Sequence, residues 1–168
     1  GAVKGYQKET GKEVDKQTRV NNFLVKREIK RLAEQLAAED IFPVESVKPV
    51  VAVLMMKNLE MEIAKRGLNE AFTDMLIEAF SELPNYTVVE RTRLEEILAE
   101  QKLSLTGAVN PKTALQVGRL AAANRIVTGS LANAGDFYEL NARLTETETG
   151  VLIKVYSVQV RKDLVKLK

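Results

Sequence analysis

The chain switches between stretches whose apolar residues recur every three to four positions and stretches with a period of two, and these periods set its predicted elements. Between 17 and 40, Phe23, Leu24, Ile29, Leu32, Ala33, Leu36 and Ala37 follow mostly at spacings of three and four. Lys26, Arg27, Lys30, Arg31 and Glu34 fill the positions between, which predicts an amphipathic N-terminal helix. Residues 1–16 are polar with no apolar period and are predicted to be a flexible leader. Pro43 and Pro49 bracket a short polar linker. Val50–Met56 is an unbroken apolar run, which predicts a central strand covered on both faces. A loop from Lys57 to Gly67 leads to a second helix, whose stripe Leu68, Phe72, Met75, Leu76, Ala79, Phe80 and Leu83 stops at Pro84-Asn85.

Tyr86–Glu90 is a short β-branched strand that runs directly into a helix buried through Leu94, Ile97 and Leu98. Thr92 is its predicted cap, with Glu95 at the capping-box position. Asn110 as cap and Pro111 at the first helical position open a further helix through Ala114, Val117, Leu120 and Ala121. After Asn124 the period becomes two. Ile126–Leu131 is a strand, Ala134-Gly135-Asp136 a turn, and Tyr138, Leu140, Ala142 and Leu144 alternate with polar neighbours in a strand with one dry and one wet face. Glu148-Thr149-Gly150 turns into a last strand from Val151 to about Arg161. The predicted fold is α/β (or α+β), one mixed β-sheet flanked by helices in the order helix-βαβαα-βββ, with residues 48–168 as the domain behind the N-terminal amphipathic helix.

Composition narrows the chemistry. Apolar residues at 45% and charged residues at 29% of 168 belong to a globular chain. There is no His, which excludes His-based catalysis and His-ligated metals, and no Cys, which excludes thiol nucleophiles, zinc clusters and disulfides. The net charge is +2, and residues 1–40, with nine basic against seven acidic side chains, carry all of it. That is too little for electrostatic capture of nucleic acid. A helix-turn-helix laid over Ala114–Val127 would have an Ala-rich second element with one Arg and lacks a basic recognition helix. No apolar run approaches the roughly 20 residues of a membrane-spanning helix.

Three features remain as candidates. The N-terminal helix either packs on its own domain or presents Phe23, Leu24, Ile29, Leu32 and Leu36 to a partner or a second copy, its interspersed Glu residues arguing against a membrane surface. Lys65, Arg66 and Gly67 end a loop that leaves the carboxyl end of the central strand, where open α/β sheets place ligands, and form a candidate anion site without a GxGxxG or P-loop pattern. Glu90, Glu95, Glu96 and Glu100 are interspersed with Arg91, Arg93 and Lys102, so mutual neutralisation on a solvated helix face accounts for them. Thr145–Thr149 lacks the ligand spacing of a calcium loop. No catalytic, cofactor-binding or metal-ligating set emerges.

The strings Val88-Val89-Glu90-Arg91-Thr92-Arg93-Leu94-Glu95-Glu96-Ile97-Leu98-Ala99-Glu100-Gln101, Ala122-Ala123-Asn124-Arg125-Ile126-Val127-Thr128-Gly129-Ser130 and Leu144–Gly150 carry a resemblance. Together with the Val50–Met56 strand and the Leu68–Leu83 helix, they resemble, over residues 48–161, the CsgG family of bacterial envelope lipoproteins. That family's wider relatives include the flagellar-associated lipoprotein FlgO and, remotely, the penicillin-binding-protein activator LpoB. The resemblance implies a periplasm-facing α/β domain tethered to the outer membrane. Such a domain acts without catalysis or cofactor by binding envelope proteins or itself, in assembly or as an adaptor; Glu90-Arg91 would be structural, ending a strand and starting a helix. The chain opens Gly1-Ala2-Val3-Lys4 with no signal region, so a signal peptide or lipid anchor would precede it. The curli secretion channel builds its pore from long hairpins after the "GS" strand and after the last strand. Here the first place holds only Asn133-Ala134-Gly135-Asp136 and the chain ends eight residues past Val160, too little for strands of about 9–11 residues. The alternatives are a small-ligand sensor using the Lys57–Gly67 loop, or a subunit of a secretion complex.

Overall fold

A computed structural model describes residues 23–42, 47–61, 63, 67–103 and 110–165. The predicted leader and the first residues predicted for the N-terminal helix lie outside them. Residues 23–37 form helix α1. The strands are β1 (Val50–Val53), β2 (Lys57–Asn58), β3 (Thr87–Val88), β4 (Arg125–Ala134), β5 (Phe137–Glu146) and β6 (Leu152–Arg161); helices α2 (Leu68–Ser81), α3 (Arg91–Glu100) and α4 (Pro111–Leu120) stand between them. They build one mixed sheet in the order β3-β1-β4-β5-β6, with β2 also paired to β4. The pairs of β1 with β3 and β4 are parallel, and β4-β5-β6 is an antiparallel meander. The α/β class is the one the periodicities predict, and so is the order of elements apart from β2, which falls within the predicted Lys57–Gly67 loop.

The Val50–Met56 run shows how an unbroken apolar strand works. Val51 and Val53 enter the larger core cluster, beneath α1 and α2, while Ala52 and Leu54 enter a second cluster with Leu94, Ile97 and Leu98 of α3 and Ala114 and Val117 of α4. Successive side chains leave opposite faces of a strand, so a strand with helices on both sides has no polar position. The ladder departs from the predicted continuous strand beyond Val53. Val53 pairs with Val127 and Lys57 with Ser130, so Leu54, Met55 and Met56 lie opposite Thr128 and Gly129 alone. This is a bulge, and β2 resumes the ladder where the sequence predicts loop. The Met56 N–H freed by the bulge is donated to Thr73 Oγ1 of α2 at 3.0 Å, and that hydroxyl donates to the Asn69 carbonyl. Gly129 makes room: a Cβ there would stand 2.5 Å from the Asn141 carbonyl oxygen and 3.0 Å from Met56 Cε.

Helix starts divide between local and tertiary causes. Asn110 caps α4 as predicted, its Oδ1 accepting from the Thr113 N–H at 2.9 Å with Pro111 in the first turn. α3 corrects its prediction: Glu90 occupies the cap with no side-chain bond, the helix begins at Arg91, and Glu95 is held by Arg91 instead of reaching back to a capping Thr92. The ion pair outweighs the cap because Arg91 is already fixed from α2, as described below. α4 lies close on β4 through Gly118, where a Cβ would approach Ile126 Cδ1 to 2.4 Å.

Candidate functional site

α1 places most of its predicted binding stripe inside its own domain. Ile29, Leu32 and Leu36 are fully buried, together with Val25 and Ala33, in the cluster that holds Phe72, Leu76, Leu140 and Val158. Each such large side chain removed from water contributes about 1.5–3 kcal/mol. Of the five residues named from the sequence, Phe23 is exposed and Leu24 half-buried. These two border grooves on either side of the helix. One, of about 310 Å³, lies between α1 and α2 and is lined by Phe23, Lys26, Lys30, Met75, Glu78 and Glu82. The other, of about 290 Å³, lies between α1 and the end of the meander and includes Leu24, Phe137, Val160 and Leu164. Of the predicted anion site, Lys65 and Arg66 lie outside the described residues; Gly67 caps α2 with a φ of 65° and no side-chain bond.

A buried polar cluster that the sequence does not announce closes the far end of α1. Arg125, the first residue of β4, donates from Nε to both carboxylate oxygens of Asp40 at 3.1 and 3.0 Å. The Tyr86 hydroxyl donates to Asp40 Oδ2 at 2.5 Å. The two charged side chains are only 12% and 3% exposed, so this pair is desolvated where most others on the molecule are wet. The Phe42 ring lies 5.0 Å from the guanidinium and meets Tyr86 edge-on, as Phe80 does from α2. Three segments 46 and 85 residues apart along the chain converge on one carboxylate. Both carboxylate oxygens of Asp40 are engaged by protein donors, an arrangement that anchors the three segments to one another.

Burial, then the bond to Asp40 and its negative charge, push the Tyr86 hydroxyl well above the ordinary phenol range, with Arg125 opposing weakly. The unfolded chain therefore loses this proton first, near pH 10, and above that pH it binds fewer protons than the folded chain. Stability is fully present below pH 10 and is expected to fall as pH rises past it. Tyr86→Phe is expected to flatten that alkaline slope, which urea unfolding between pH 8 and pH 11 would measure; an unchanged slope would count against the buried phenol.

The acidic helix face is organised around one cation. Arg91 Nη1 meets both oxygens of Asp74 on α2 at 2.8 Å, Nε meets Glu95 at 3.0 Å and Nη2 stands 3.9 Å from Glu70. Burial penalises the guanidinium charge, but the Asp74 bond and the three carboxylates outweigh it and raise the Arg91 pKa. Glu96 pairs with Arg93. The predicted neutralisation is thus a tie from α2 to α3. The Glu90-Arg91 step starts a helix as expected, but it does not end a strand: of the predicted Tyr86–Glu90 strand only Thr87–Val88 pairs, and Val89 and Glu90 lie past its end. Asn124 is a second joint: its Oδ1 accepts from the Val50 N–H at 2.7 Å while its own N–H donates to the Val50 carbonyl at 3.0 Å, fixing β1 against β4.

The meander leaves one face open. Tyr138, Leu140, Ala142 and Leu144 of β5 are buried in the core, so Glu139, Asn141 and Arg143 turn the other way. Register places Thr128, Ser130 and Ala132 on one side of them and Val155, Ser157 and Gln159 on the other. Asn141 Nδ2 donates across to Ser157 Oγ at 2.7 Å. α3 and α4 bury their apolar sides against β1 and the start of β4, and among the described residues no helix covers β5 and β6 on this side. No helix of the described residues is long and apolar enough to cross a membrane.

A family model described as the curli production assembly/transport component CsgG matches residues 42–145. No curated protein sequence matches the chain. Among solved structures, the chain is similar to the LpoB C-terminal domain from Salmonella enterica at 17% identity and a TM-score of 0.63, covering 80% of this chain and 96% of that one. It is similar to the LpoB C-terminal domain from Escherichia coli at 15% identity and a TM-score of 0.62, covering 82% and 98%. Lipoprotein GNA1162 from Neisseria meningitidis is similar at 16% identity and a TM-score of 0.51, covering 68% and 81%. At these identities the likeness is one of fold.

Proposed function

The chain belongs to the family of the curli production assembly/transport component CsgG, and from that membership and the geometry of its open surfaces we propose that it is a non-enzymatic, protein-binding domain of the bacterial cell envelope. It would face the periplasm, tethered to the outer membrane, and serve assembly or act as an adaptor. The family match over residues 42–145 carries the reading. Supporting it, Asp40, Tyr86 and Arg125 are engaged with one another, and the wet face of β4, β5 and β6 is a broad, mostly polar sheet surface, carrying Glu139 and Arg143 among Ser, Thr, Asn and Gln side chains, suited to a protein partner. A pore-forming role is disfavoured at one of the two places where the resemblance puts a hairpin. β4 and β5 are joined by Gly135-Asp136 alone, a two-residue turn with φ of 64° at the glycine.

A photo-crosslinking side chain at Arg143, exposed in the middle of the wet face, tests this in living bacteria. The expected result is a discrete adduct with an envelope protein, absent when the same group replaces Glu96 on the exposed side of α3. Adducts with cytoplasmic proteins only, or turnover of a small substrate by the purified chain, would overturn the reading.

A further inference from the structure

β6 ends the sheet, and among the described residues it is paired on one side only. The Lys162 N–H reaches the Asp136 carbonyl at 2.9 Å, and Val160 stands opposite Tyr138. Backbone direction alternates along an antiparallel strand, so Tyr156, Val158 and Val160 turn their N–H and C=O groups toward β5. Val155, Ser157 and Gln159 turn theirs outward, to the open edge.

Natural proteins protect such an edge with proline, with charges set against pairing, or with a covering segment. β6 contains no proline. Its two cations are already neutralised within the domain, Lys154 by Glu39 at 2.7 Å and Arg161 by Asp163 at 2.5 Å. Exposed apolar side chains concentrate at its start, with Val151 at 59%, Leu152 at 47% and Val155 at 36% exposure. Charge complementarity therefore calls for a neutral, β-branched, extended strand, and β6 is itself such a strand.

We propose that β6 is an association edge that pairs antiparallel with β6 of a second copy of this chain, extending the sheet across a two-fold axis near Tyr156. In that register Val155 stands opposite Ser157 of the second copy, Lys154 opposite Val158 and Ile153 opposite Gln159. No like charges meet, and residues of one face meet residues of the same face, as a two-fold sheet requires. The inference concerns the strand alone and holds whether or not the envelope reading does.

Light scattering of the full chain over rising concentration tests it. The mass is expected to climb from 18.7 kDa to twice that value. Val155→Lys, at an exposed edge position, should abolish the doubling without lowering the melting temperature. Val155→Pro, which removes an outward donor and leaves the β5 ladder intact, should do the same. Amide exchange on the unaltered chain gives a readout that needs no variant: the N–H groups of Val155, Ser157 and Gln159 should become protected as concentration rises, while those of Tyr156, Val158 and Val160 are protected throughout. A mass of 18.7 kDa at every concentration, a dimer that survives both substitutions, or concentration-dependent protection confined to another element would each overturn the proposal.

Discussion

Leu32→Lys is expected to leave no cooperatively folded protein at 25 °C, whereas Phe23→Lys, nine positions earlier on the same helix, melts as the unaltered chain does. Both residues belong to one apolar stripe, and only their surroundings separate them. Leu32 has no exposed surface and sits in the main core; Phe23 is 66% exposed. Truncating a leucine so placed to alanine costs about 2–5 kcal/mol. Lysine adds the desolvation of an ammonium group with no partner, and the total rivals the roughly 5–15 kcal/mol that stabilises a whole domain. An exposed substitution away from such features stays within about 0.5 kcal/mol. Far-UV circular dichroism with urea titration of the two variants decides the matter. A Leu32→Lys chain as stable as the parent would mean that α1 does not belong to the core in solution. The expected result instead confines any partner contact of α1 to its solvent side and its flanking grooves.

The difference between these two leucine-and-phenylalanine positions marks how far the sequence can be read. Periodicity shows that 23–37 has an apolar side; it is silent on whether that side meets β5 and β6 of its own chain or another molecule, because both satisfy the same pattern. Val50–Met56 was legible in more detail, since a strand without a polar position must be covered twice. Even there the bulge at Leu54–Met56 depends on Gly129 and Thr73, far along the chain, and local sequence carries no trace of it. Asn110 was legible as a cap because its partner Thr113 is three residues away. Thr92 and Glu95 fit the same local pattern and failed it, because Asp74 on another helix fixes Arg91 and Arg91 claims Glu95. The wet face of β5 follows from its alternation, but the identity of its neighbours on β4 and β6 comes only with the register. Asp40, Tyr86 and Arg125 each look like ordinary surface polar residues in the sequence.

Asp40→Ala is expected to destabilise the chain by about 3–5 kcal/mol, the cost of leaving a buried charge without its partner. For a domain of this size that corresponds to a fall in Tm of roughly 6–20 °C, at about 2–4 °C per kcal/mol. The loss is large because Arg125, 12% exposed, keeps its guanidinium in place with, among the described residues, the Asn124 carbonyl and the Phe42 ring and no other carboxylate, and because the Tyr86 hydroxyl loses its acceptor. Removing both charges should hurt less than removing one. Asp40→Leu with Arg125→Met takes away the desolvation penalty together with the attraction, and replacing a buried pair by apolar side chains of similar volume is often neutral. Adding Tyr86→Phe removes the hydroxyl that the loss of Asp40 deprives of its acceptor. Thermal unfolding of Asp40→Ala, of the double variant and of the triple variant should therefore rank Asp40→Ala lowest. Salt should change the order little, because the pair lies away from mobile ions. The opposite ranking, or an Asp40→Ala chain within about 1 kcal/mol of the parent as expected of a solvated pair, would show that α1 is not held at this joint. In that case the apolar stripe alone would seat the helix on the sheet.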